Sequence, residues 1–61
     1  MTVNFHNVQK DTTEIIEDVV LMEGHLMQID GHLTNVWLLH LEDGTERAYR
    51  LTNYLLRSVK A

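Results

Sequence analysis

The sequence predicts an all-β domain, and three observations carry that expectation. The run from Val36 to Leu51 sets two β-prone segments on either side of Asp43-Gly44, a pair suited to a tight reverse turn. The segment Thr2–Val8 alternates with period two and puts Val3 and Phe5 on one side. The chain has 44% hydrophobic and 23% charged residues, which is too apolar to stay solvated and unfolded. Its 61 residues make one small domain, residues 1–61.

Taken from the N-terminus, Thr2–Val8 reads as a strand. Residues 11–24 are open to two readings. Asp11-Thr12-Thr13-Glu14 is similar to a helix N-cap with an acid three residues on, and Gly24 is placed for a helix stop. Ile15, Ile16, Val19, Val20 and Met22 fit one helical face. Four of those five are β-branched, however, and favour a strand. The alternatives are a helix near 12–23 packed on a three- to four-stranded antiparallel meander, an α+β fold, or a loop over 9–17 followed by a strand from about 18 to 28.

Asp30-Gly31 is a second candidate turn, between His25–Ile29 and His32–Asn35; it closes a tight hairpin or begins a longer loop. In the Asp43-Gly44 hairpin, a two-residue turn makes Leu38 face Tyr49 and Val36 face Leu51. A three-residue turn with a glycine bulge shifts that pairing. Either way the strand 36–41 is apolar on both faces, so something must cover both: a closing barrel, a helix or another subunit. Beyond Leu51, the chain forms either a short helix capped by Thr52 or Asn53, or one 3₁₀ turn at Thr52–Leu55 and a strand at Leu56–Val59.

This order of parts resembles an SH3-like small barrel. Glu23-Gly24-His25-Leu26-Met27-Gln28-Ile29 is similar to that family's glycine-containing second strand, and Val36-Trp37-Leu38-Leu39-His40 to its tryptophan-bearing third. Glu42-Asp43-Gly44-Thr45 stands where its distal hairpin belongs. Ala48-Tyr49-Arg50-Leu51-Thr52-Asn53-Tyr54-Leu55 is similar to its Gly-Tyr-Ile-Pro-Ser-Asn-Tyr-Val, with Leu51 in place of the proline. The Ala-Leu-Tyr-Asp-Tyr motif is missing. The resemblance covers residues 19–61 and implies about five antiparallel strands. It also implies ligand contacts at Asn53, Tyr54 and Trp37, with Glu14, Glu17 and Asp18 in or near the loop that reads basic ligand residues. Sm-like barrels such as Hfq and Rof offer a second resemblance, through Tyr49–Leu56, and imply an RNA-binding oligomer.

Charge separates along the chain. Residues 1–46 hold all nine acids and only Lys10, a balance of −8, while residues 47–61 hold Arg47, Arg50, Arg57 and Lys60 without an acid, a balance of +4. Antiparallel pairing either neutralises the two halves against each other or leaves one acidic and one basic face, each able to select a partner. The net charge of −4 argues against broad nucleic-acid binding. The alternative RNA surface is Arg47, Tyr49, Arg50 and Arg57, although aromatics on central strands, Trp37 and Tyr49 included, are usually core.

Catalysis finds little support in these residues. His6, His25, His32 and His40 lack zinc-ligand spacing, Ser58 stands alone with no nucleophile elbow, and the glycines are scattered. No cofactor or metal is expected. No basic-then-apolar segment opens the chain and no apolar run approaches the ~18 residues of a membrane helix. The expectation is therefore a soluble, cytoplasmic, non-enzymatic module that regulates or inhibits a larger protein. Its small core, without disulfides, further predicts a homo-oligomer with Trp37, Leu39 and Leu41 at the seam.

Overall fold

The computed structural model describes all 61 residues and contains six strands: β1 (Thr2–Asn7), β2 (Thr12–Ile16), β3 (Val19–Ile29), β4 (His32–Leu41), β5 (Glu46–Arg50) and β6 (Tyr54–Lys60). They form two antiparallel three-stranded sheets, ordered β2-β1-β6 and β3-β4-β5. The fold is all-β, as the sequence predicts. The count is six strands in two sheets rather than five in one barrel, and β5 and β6 form no ladder with each other. No helix is long and apolar enough to cross a membrane.

The helix expected as the alternative near 12–23 does not form. The β-branched residues there extend instead into β2 and β3, and Gly24 sits in mid-strand opposite Trp37. The segment read as a loop over 9–17 is mostly β2, so Glu14 lies on a strand. The turn before it is tightened by Asn7, whose Oδ1 accepts from the backbone N–H of Gln9 (3.1 Å) and Lys10 (3.2 Å). The chain then passes from one sheet to the other in the two residues between Ile16 and Val19, with Asp18 at φ +60°. Backbone bonds between Met1 and Val19 close that corner.

The two Asp-Gly pairs make different turns. Asp30 (φ +52°) and Gly31 (φ +79°) both lie in the left-handed region, giving the two-residue hairpin in which Ile29 pairs with His32. At the second pair, Leu41 N–H donates to the Thr45 carbonyl and Gly44 N–H to that of Leu41, so three residues form the loop and only Gly44 has positive φ (+89°). The two-residue register is thereby corrected by one: Leu38 pairs with Ala48, and Val36 with Arg50. After β5, Asn53 N–H bonds the Arg50 carbonyl, and the chain returns as β6 along β1. The C-terminal segment is thus a turn and a strand, with the strand starting at Tyr54.

The core lies between the sheets. Val3, Phe5 and Ile16 of the first meet Val19, Leu39, Leu41 and Tyr49 of the second. Phe5 stacks on Tyr49 with ring centroids 4.8 Å apart, and Tyr54 meets both edge-on at 5.9 and 5.0 Å. Leu39 and Leu41 are buried in this core and Trp37 packs against it, which removes the expected oligomer seam. The opposite face of β4 carries Val36, fully buried yet outside the core cluster and flanked across the ladders by His25 and Arg50.

Candidate functional site

Two turns 24 residues apart in sequence supply most of an open groove of about 420 Å³, lined by Glu17, Asp18, Leu41, Glu42, Asp43 and Arg47. The β2–β3 corner contributes Glu17 and Asp18, and the β4–β5 loop contributes Glu42 and Asp43. A backbone bond from Glu42 N–H to the Asp18 carbonyl (2.8 Å) fixes the turns to each other. Asp43 accepts from the hydroxyl (2.6 Å) and the N–H (2.9 Å) of Thr45. The hydroxyl bond first, then the backbone bond, hold its carboxyl below the usual range. Four carboxylates thus share one groove with a single arginine.

The basic tail does not neutralise these acids. Arg50–Asp30 at 3.6 Å is the one ion pair between a carboxylate and an arginine or lysine; the other pairs use histidine. His6 meets Asp11 at 3.2 Å, and His40 lies between Glu23 (2.9 Å) and Glu46 (3.5 Å). No cluster of three or more histidine, aspartate or glutamate side chains is arranged to hold a metal ion.

The remaining residues singled out from the sequence are dispersed. Glu14 lies away from Glu17 and Asp18, half-buried on β2, where its Oε2 accepts from Asn7 Nδ2 at 2.9 Å. Tyr54 Oη lies 3.5 Å from the same nitrogen. Its phenol is pushed above its ordinary pKa by burial first and by the nearby Glu14 carboxylate second. Trp37 is half-buried across from Tyr49, with its ring over Gly24. Asn53 contributes through its backbone, whose carbonyl accepts from Val8 N–H (2.9 Å). A second cavity is lined by Leu33, Thr34, Asn35, Arg50, Leu51 and Thr52, so neither cavity is bounded by Trp37, Asn53 or Tyr54.

Among the alternative RNA residues, Arg47 is in the acidic groove, Tyr49 is buried against Phe5, Arg50 pairs with Asp30, and Arg57 is exposed on β6. Sequence reasoning overlooked Asn7, which is 5% exposed. An Asx-type turn over Asn7–Lys10 was the available signal. In the sequence Glu42 and Asp43 read as turn residues only. The chain matches no protein family model, no curated protein and no solved structure.

Proposed function

We propose that the protein is a small non-enzymatic interaction module whose acidic groove docks a basic surface of a larger protein, acting as its regulator or inhibitor. The observation that supports this is the gathering of Glu17, Asp18, Glu42 and Asp43 around one opening, with only Arg47 set against them. Like charges held together on rigid turns raise the local potential and select cationic partners. An SH3-like small-barrel fold is compatible with two antiparallel three-stranded sheets sharing one core, and a cytoplasmic setting agrees with the lack of cysteine.

The test is retention from native lysate on the immobilised chain, read by mass spectrometry, beside the E17K/E42K variant. A retained protein with a basic contact surface, lost in the variant and released by salt, is the expected result. Equal retention by both chains would remove the acidic groove from the reading. Salt-sensitive retention of RNA, lost in R50E/R57E instead, would favour the Sm-like alternative, for which the exposed Arg57 and Lys60 on β6 are the supporting feature.

A further inference from the structure

β5 is an edge strand: its ladder to β4 occupies one side only, and no strand covers the other. The bonds from Leu41 N–H to the Thr45 carbonyl and from Leu51 N–H to the Asn35 carbonyl bracket that ladder and set its phase. In an antiparallel pair, hydrogen-bonded positions recur every second residue. Arg47 and Tyr49 therefore direct their peptide groups toward β4, and Glu46, Ala48 and Arg50 direct theirs outward. We propose that this edge pairs with the same edge of a second copy, antiparallel and centred on Ala48, forming a two-fold dimer with one continuous six-stranded sheet.

Two independent features select this occupant and this register. The first is phase. A two-fold axis at Ala48 sets Ala48 against its own copy and Glu46 against the second copy's residue 50, which are the three outward-bonding positions. Arg50's carbonyl already accepts from Asn53 N–H. Four main-chain bonds remain: two between the Ala48 residues, and two from Arg50 N–H to the Glu46 carbonyl.

The second feature is charge. The same register places a glutamate directly opposite an arginine at both ends of the strand, and opposite charges across a ladder are stabilising. Ala48 at the axis carries only a methyl group and is exposed on β5, so the two chains meet without a bulky side chain at the centre. Of the three other edges, β2, β3 and β6, the last is interrupted by a register shift at Arg57, opposite Asn4/Phe5, and bears Arg57 and Lys60 without acids, which disfavours pairing with itself. Only nine of 61 residues are buried in the single chain, so a monomer of this size gains from association. The inference does not rest on the acidic groove.

Sedimentation velocity from about 1 µM to about 500 µM, spanning the dissociation constants expected of a short interface, reads the dimer directly. The expected result is a concentration-dependent rise from monomer to dimer mass, weakened by salt. Ala48→Pro removes an outward N–H and leaves the β4 ladder intact, so the variant should fold and remain monomeric at about 500 µM. The charge test stands even if that variant fails to fold. E46R alone and R50E alone should each be monomeric, and an equimolar mixture should recover the dimer, because each arginine then faces a glutamate. A wild-type monomer throughout the range, a proline variant that dimerises like wild type, or a mixture that stays monomeric overturns the proposal.

Discussion

Asn7 Nδ2 donates to Glu14 Oε2 at 2.9 Å across the β1–β2 hairpin, while its Oδ1 holds the two backbone N–H groups that turn the chain. One nearly buried amide therefore serves as donor to a strand and acceptor for a turn. Asn7→Asp keeps the acceptor and replaces the donor with a second carboxylate against Glu14. We expect a loss of about 1–3 kcal/mol at neutral pH. Like charges raise the protonation affinity of such a pair, so the gap to wild type should narrow as pH falls through the carboxylate range. Urea unfolding of both chains at pH 7 and pH 4 checks this, and a gap that widens on acidification contradicts it.

Tyr54 gives a second pH dependence, at the alkaline end. Its folded-state pKa is raised above 10.0 by burial and then by Glu14. The folded chain thus keeps a proton that the unfolded chain has lost. The stabilisation is fully present below about pH 10, the ordinary phenol value, and is lost as pH rises through the folded pKa. Tyr54→Phe should flatten that decline, and Glu14→Gln should make the phenol titrate at lower pH. Ultraviolet titration of the phenolate in the folded chain reads the second effect, and urea unfolding at a series of pH values above and below the ordinary phenol value reads the first.

Gly44 has φ +89° with open space around the position of a Cβ. The cost of substitution there is backbone strain, with no steric collision. Gly44→Val should destabilise by about 1 kcal/mol or more, since a β-branched residue is strained at positive φ. Gly44→Asn should recover part of the loss, because asparagine tolerates the left-handed region. Thermal unfolding of the two variants distinguishes strain from a generic side-chain effect.

That hairpin also shows what the residues reveal and what they withhold. Asp-Gly marks a reversal in both places, yet the same dipeptide supports a two-residue turn at Asp30-Gly31 and a three-residue bulged loop at Asp43-Gly44. The difference goes with packing, since the bulged register is the one that sets Tyr49 on the same face as Trp37 and onto Phe5. The alternation of β1 is a local pattern and was legible; Val3 and Phe5 are both in the core. The choice between helix and strand at residues 12–23 depended on β1 being present to pair with β2, a non-local fact. The acidic groove depends on a contact between two turns, and no spacing in the chain announces the bond from Glu42 to Asp18.

Asp18 joins strain to the proposed function. It is a non-glycine residue at φ +60°, placed at the corner between the sheets, and its side chain lines the acidic groove. The left-handed conformation costs an L-residue about 1 kcal/mol, only partly relieved for aspartate by its short polar side chain. Glycine adopts the same backbone without that penalty but loses more entropy on folding. Asp18→Gly should consequently leave stability unchanged or raise it by up to about 1 kcal/mol, since the backbone carbonyl that accepts from Glu42 is retained. Partner binding should respond differently. Removing one of four carboxylates lowers the potential at the groove and should slow association more than it hastens dissociation, with the effect shrinking as salt rises. Chemical unfolding together with association rates at two salt concentrations measures both halves. A variant that folds as well as wild type and binds as fast would show that Asp18 is tolerated at the corner for its backbone alone, and that the groove's charge is not what the partner reads.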